Sequence, residues 1–361
     1  MHLFFKRLSI YIIAMVIFIA IGESYLIIKK TPSDYQWGWK YQSNAKEQTN
    51  QLGFRGQTIN YQDSDYVVLL VGDSQVESMG TKAIDMPERR LEKYLSFFSG
   101  KPTKVFSIAA GGYGQDQEYL ALLEYFAAYR ADLVIVWETP ENNVWNNLFP
   151  THWPKNGKPK PTFWLDDDGS LAGPKLKSYP LRIQSIISKS ILKESPDDDW
   201  AKRYLPAPYR APITSDQAYL NHPLLTINEG KGLASDKTHI GLMVHPTSPR
   251  TEHGIRLSNK ILHRMQSVTN ENHAEFLTFY VKRPDSPLAN GIYQVSNGKD
   301  FLYPELSSKT FFNNVTKMNE GLNFLMVEVT TQDYKFKNDP HLNIKGINQV
   351  MRKLASALND R

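Results

Sequence analysis

Three short apolar runs, each followed by a loop and then a helix-patterned stretch, constrain this chain more than any other feature. Residues 66–71 read YVVLLV, 104–108 read KVFSI and 133–137 read LVIVW. Short runs that are rich in β-branched residues and apolar at consecutive positions fit strands buried on both faces. Asp85 and Pro87 signal a helix start, and 87–98 carries helical spacing. The segment 116–129 gathers Tyr119, Leu120, Leu123 and Phe126 on one helical face. Strands that alternate with helices build parallel βαβ units, so the predicted fold is α/β with a doubly wound parallel sheet. The alternation returns late in the chain, with an amphipathic helix around 255–268, strands at 276–281 and 323–329, and a last helix over 344–358.

Between these two blocks lies an insertion at about 146–250, rich in Pro, Lys, Asp and aromatic residues. It carries acidic triplets at 166–168 and 197–199, and helical spacing near 181–192. With its leading edge it holds Trp145, Trp153, Phe163, Trp164, Trp200, Tyr204 and Tyr209. Exposed aromatics can stack on sugar rings. The plainer reading, and the favoured one, is that they pack the insertion's own small core while the Asp runs are solvated loops. The triplets lack the EF-hand pattern, so no metal is assigned to them. The polar, aromatic stretch 31–65 reads as a connecting segment before a domain spanning 66–361. There is no internal repeat and no low-complexity tract.

The first 30 residues stand apart. Lys6 and Arg7 precede an apolar run over 10–21; Gly22, Glu23 and Ser24 interrupt it, and 25–28 resume before Lys29 and Lys30. A membrane span needs roughly 20 mostly apolar residues, which 8–28 reaches if Glu23 sits near the interface. The favoured reading is an uncleaved signal anchor with the catalytic domain on the periplasmic or extracytoplasmic side. A cleaved signal peptide is the alternative, with Ala20 and Gly22 as small residues near a cleavage site. A buried helix of the domain is the third reading.

Composition narrows the chemistry. The 361 residues include no cysteine, which excludes a disulfide framework, a cysteine-ligated zinc site, a thiol nucleophile and a cysteine-linked lipid anchor. The net charge is only +5, with no Lys/Arg block of the kind that tracks phosphates, so nucleic acid is not an expected partner.

Four loop segments carry candidate chemistry. In an open parallel sheet, ligands bind beyond the carboxyl ends of the strands. Gly72-Asp73-Ser74 follows the first run directly and sets a hydroxyl on a strand-to-loop turn with free backbone amides beside it. Gly111-Gly112-Tyr113-Gly114 follows the second, where glycines let the backbone approach a ligand. Glu141-Asn142-Asn143 follows the third. Asn338-Asp339-Pro340-His341-Leu342-Asn343 precedes the last helix. A serine nucleophile needs a base, and the base needs an orienting carboxylate. His341 and Asp339 supply that pair two residues apart; an isolated histidine would be read as a loop or capping residue.

Together these segments resemble the SGNH (GDSL-type) hydrolase family. VVLLVGDSQVES is similar to its first block, with Ser74 at the nucleophile position. VFSIAAGGYGQDQEYLALL resembles the second, with Gly112 at the oxyanion glycine. LVIVWETPENNVWNN resembles the third, with Asn142 at the oxyanion asparagine and Asn143 where Asp is usual. NDPHLNIKG resembles the last, with His341 as base. Asn50 and Leu52-Gly53-Phe54-Arg55-Gly56 are similar to a segment preceding the first block in membrane-anchored bacterial members, as is an apolar N-terminal segment with an embedded Glu. The resemblance covers about 66–145 and 255–358. It implies a flavodoxin-like three-layer α/β/α fold with a five-stranded parallel sheet.

The resemblance also implies a mechanism. Ser74 attacks an ester carbonyl, His341 takes its proton and Asp339 fixes the imidazole. The Ser74 and Gly112 amides and the Asn142 side chain hold the oxyanion, and neither metal nor cofactor is needed. Two departures stand out. The position three before His341 is Asn338 where Asp is common, so Asp339 gives an Asp-x-His spacing similar to polysaccharide O-acetylation relatives. Glu141 replaces a small residue before Asn142. The expected function is a serine esterase or O-acyltransferase acting on an acylated carbohydrate of the cell envelope or extracellular polysaccharide. Its expected partners are the membrane, through the N-terminal helix, and polysaccharide-assembly proteins. A lipid esterase and a non-catalytic polysaccharide-binding protein are the alternatives.

Overall fold

The computed structural model describes residues 2–28, 48–151, 160–175, 241–245, 249–282, 291–292, 295–296, 301–302, 305–336 and 339–360, with single positions at 183, 187, 200, 203 and 247. Five strands form the central sheet: β1 Tyr66–Gly72, β2 Thr103–Ala109, β3 Leu133–Glu138, β4 Glu275–Lys282 and β5 Phe324–Glu328. All neighbours are parallel. Their spatial order, β5-β4-β3-β1-β2, is the flavodoxin-like arrangement. The helices are α1 His2–Ile28, α2 Ser74–Glu77, α3 Pro87–Ser99, α4 Gln115–Phe126, α5 Pro140–Leu148, α6 Pro249–Glu271, α7 Ser308–Met318 and α8 Ile344–Asn359.

Strand alternation sends successive side chains to opposite faces, and both faces are covered. Val67, Leu69 and Val71 pack in one core with Leu122 of α4 and Ile261 and Met265 of α6. Val68 and Leu70 pack in the other with Leu91 of α3 and Val350 and Leu354 of α8. This explains why the strands read as continuous apolar runs. The three-layer α/β/α fold expected from the sequence is the one observed.

The register levels the strand ends. Gly72 pairs with both Ala109 and Trp137, so the loops after β1, β2 and β3 leave one edge together. The chain passes from β1 to β2 on one side and then returns to β3 on the other. The resulting switch point lies between β1 and β3, where doubly wound sheets bind their ligands.

The residues before β1 belong to this packing from position 48 onward: Phe54 and Ile59 are buried in the α4–α6 core. Two helices went unread in the sequence. In α5, Pro140 occupies the first turn but three of the next four residues, Glu141, Asn142 and Asn143 among them, are polar. In α7, Ser307 accepts a hydrogen bond from the Thr310 amide as an N-cap, and Phe311, Val315 and Met318 supply the buried stripe.

In the insertion, the strands Thr162–Leu165 and Leu171–Lys175 form an antiparallel hairpin. The first acidic triplet is its solvated turn: Asp168 accepts from the Ser170 amide at 2.9 Å and Asp166 accepts from the Trp164 indole at 2.9 Å. Phe163 is buried edge-on against Tyr119, with ring centres 5.7 Å apart, and buried Trp200 lies 6.0 Å from Trp164. Phe163 belongs to the domain core, Trp200 is buried and Trp164 is half-buried. The triplet at 197–199, Trp153, Tyr204, Tyr209 and most of the helix expected at 181–192 lie outside the described residues.

Helix α1 presents its apolar side chains outward, and within the 25 residues Phe4–Ile28 an 18-residue stretch averages a hydropathy of 2.2. That is long and apolar enough to cross a membrane or to act as a signal anchor.

Candidate active site

Ser74 opens the one-turn helix α2 at the carboxyl end of β1. Asp73 caps that turn, its Oδ1 accepting the Gln75 amide at 3.0 Å. No side chain fits at Gly72, where a Cβ would meet Val76 at 2.7 Å and the Trp137 carbonyl at 3.1 Å. The turn is therefore pressed tightly onto the sheet edge, and the half-buried Ser74 hydroxyl faces outward.

His341 reaches it from the far end of the chain. Its Nε2 lies 2.9 Å from Ser74 Oγ, across 267 residues of sequence. The imidazole is carried on the strand Asp339–Leu342, which pairs antiparallel with Tyr334–Phe336. Just beyond, the Asn343 side chain caps α8 by accepting the Gly346 amide at 2.9 Å, which fixes where the strand ends. Asp339 begins this strand; its side chain and Asn338 lie outside the described residues.

The β3–α5 turn supplies the next group. Asn142 donates from Nδ2 to Asp73 Oδ2 at 3.2 Å, and Thr139 donates from Oγ1 to Asp73 Oδ1 at 3.2 Å. One Asn142 amide hydrogen is thus committed to Asp73, and the amide nitrogen carries a second. Asn143 turns inward, accepting the Thr139 amide at 2.9 Å, and acts as a local brace. Burial pushes the Asp73 carboxyl above its ordinary value. The hydrogen bonds from Gln75, Asn142 and Thr139 and the nearby His341 pull it back down.

The glycine loop after β2 closes the remaining side. A Cβ on Gly111 would stand 3.0 Å from Glu77 Oε2 and 3.9 Å from Ser74 Cβ, so this backbone passes directly beside the nucleophile turn. Gly112 has a left-handed backbone, φ +75°, and its carbonyl accepts from Asn146 Nδ2 at 2.6 Å. Thr139 and Asn146 were not singled out in the sequence. Thr139-Pro140 is a helix-start signal that would have found the first.

Below these loops lies a layer of buried carboxyls. Glu138 ends β3 and accepts from Asn319 Nδ2 at 3.2 Å; burial pushes it up to about 8. Glu118 of α4 is buried and pushed well above the ordinary glutamate range, first by burial and then by Asp73, Glu138 and Asp116. Neither of its carboxyl oxygens meets a hydrogen-bond partner among the described residues. Asp116 is ion-paired with buried Lys160 from the insertion. Among the described residues no group of three or more His, Asp or Glu side chains is arranged to hold a metal ion.

No family model matches the chain, and no curated protein matches it. Among solved structures it is similar to the lipase Lip_vut3 from a goat rumen metagenome. The identity is 10%, the TM-score is 0.35, and the match covers 81% of this chain and 96% of the lipase. A likeness at that level carries no argument about chemistry.

Proposed function

We propose that this chain is a serine esterase or acyltransferase of the SGNH type, acting on O-acyl groups of a cell-envelope or extracellular polysaccharide. The observation that carries the proposal is the 2.9 Å contact between His341 Nε2 and Ser74 Oγ at the β1/β3 switch point. A serine hydroxyl is a weak nucleophile until a base within hydrogen-bond reach takes its proton.

His341 accepts the Ser74 proton while Oγ bonds to the ester carbonyl carbon. The carbonyl oxygen takes the negative charge and is met by the Ser74 amide, the Gly112 amide and the second Asn142 N–H. Collapse breaks the bond to the alcohol oxygen, which leaves with the proton from His341. A water or sugar hydroxyl then gives its proton to His341 and attacks the acyl group, and Ser74 is restored. Asp339 is assigned to hold the imidazole tautomer. Helix α1 would tether this chemistry to a membrane surface, which also supports a second reading, a lipid-ester substrate.

The test is a competition assay on the full chain, with p-nitrophenyl acetate as donor and a neutral oligosaccharide as acceptor. Acetylated oligosaccharide, absent with S74A, supports the transferase; acetate alone supports the esterase. Turnover of a lysophospholipid with neither acetate release nor acetyl transfer in the competition assay moves the assignment to lipid esters. If S74A matches the wild type on every substrate, the proposal fails.

A further inference from the structure

We infer that Arg55 is a positioning residue for the Ser74 nucleophile turn. This inference rests on the reading of Ser74 as nucleophile. Arg55 lies ahead of the first strand, in the segment that precedes the domain core in sequence, and it is 5% exposed. Its Nη1 donates to the Glu77 carbonyl at 2.7 Å and to the Ser78 carbonyl at 2.9 Å, and its Nη2 donates to the Thr81 carbonyl. Glu77 ends α2, and Ser78 and Thr81 continue the same turn.

The backbone there needs holding. The last carbonyls of any helix lack partners within it, and a one-turn helix is nearly all ends. Ser78, the C-cap of α2, has φ 48° and ψ 50°, a left-handed conformation that is unfavourable for a non-glycine residue. Its amide closes the turn on the Ser74 carbonyl at 2.9 Å, so the conformation of Ser78 and the position of Ser74 are directly linked. A planar guanidinium suits this task because its fixed fork reaches several carbonyls at once, which a lysine ammonium does less well.

Arg55 is itself braced. Ser107 Oγ of β2 lies within hydrogen-bond distance of both the Arg55 carbonyl, at 3.1 Å, and Glu88 Oε2, at 2.7 Å, with one hydroxyl hydrogen to give. Asn50 donates from Nδ2 to the Ser107 carbonyl at 2.9 Å and accepts the Leu52 and Phe54 amides at 3.1 Å each. Phe54 is fully buried edge-on against Tyr113 of the glycine loop. One segment therefore touches both the nucleophile turn and the loop opposite it.

The experiment measures fluorophosphonate labelling rate, kcat and KM on p-nitrophenyl acetate, and thermal midpoint, for wild type, R55K, R55Q and R55Q/S78G. Rates are taken well below the lowest midpoint. R55Q is expected to lose about tenfold or more in labelling rate and kcat with KM unchanged, because small misplacement of a reacting group is costly. R55K should fall between R55Q and wild type. Glycine adopts the left-handed region freely, so R55Q/S78G should regain part of the labelling rate. A brace with no role in placing Ser74 would lower the midpoint and leave rates and the S78G response unmoved. That result, with a labelled wild type, overturns the inference and leaves the function intact. An unlabelled wild type removes both. If R55Q does not fold, R55K decides: a wild-type rate overturns the inference, and a reduced kcat at unchanged KM supports it.

Discussion

Asn142 and Asp73 meet at 3.2 Å across the β1/β3 switch point, with the Asn142 amide donating to an Asp73 carboxyl oxygen. The contact points one amide hydrogen at Asp73 and leaves the other for a ligand oxygen. Asp73 therefore orients the candidate oxyanion donor. N142A and D73N are each expected to lower kcat by about 10²–10³, the usual cost of one oxyanion donor. The double variant should cost little more than either alone, since both changes remove one function. Steady-state kinetics on a small aryl ester checks this, and full additivity would count against the link.

The carboxylate on His341 can be assigned by comparing neighbours. D339N is expected to lower kcat by about 10²–10⁴, as loss of the tautomer-fixing partner does in Ser-His-Asp sites. N338A should retain most activity. The measurement is kcat for the two variants side by side, and the reverse ranking would remove Asp339 from the mechanism.

Gly111 and Gly112 should respond differently to alanine. At Gly111 a methyl meets Glu77 at 3.0 Å and approaches Ser74, so G111A should reduce labelling of Ser74 with a small change in stability. At Gly112 the left-handed backbone makes G112A destabilising by roughly 1–2 kcal/mol. Thermal melts and labelling rates on the two variants separate these effects.

Glu138 gives a pH dependence with a definite sign. Its folded value of about 8 lies above the ordinary 4.5, so over that window the native chain holds a proton that the unfolded chain releases. Stability from this group is fully present below the ordinary value and is lost as pH rises through the folded one. E138Q should flatten the fall of the thermal midpoint between pH 5 and 8, at roughly 2–4 °C for each kcal/mol removed. An identical slope in the two proteins would contradict the assignment.

The parts legible in the sequence are those with local signatures. The runs ending at Val71 and Trp137 showed as strands because both their faces are buried. Ser74 and His341 were found because the residue types around each suit one chemistry, and the fold brings them to 2.9 Å. Arg55 and Thr139 act through contacts 22 to 66 positions away, which no local pattern encodes. Helix α5 was hidden because Asn142, Asn143, Asn146 and Asn147 are poor helix formers, kept helical by burial and by tertiary partners such as the Gly112 carbonyl. For the aromatic residues of the insertion a core role was the favoured reading over a sugar platform, and the packing of Phe163 on Tyr119 assigns that residue to the core of the domain itself.

The central claim is that Ser74 is a nucleophile activated by His341. Its most direct test is intact-mass and peptide analysis of the folded full chain after treatment with a fluorophosphonate, in wild type, S74A and H341Q. One adduct on Ser74 is expected in the wild type, none in S74A, and labelling slowed by about 10³ or more in H341Q. A wild type that stays unmodified, or an adduct that persists in S74A, would contradict it.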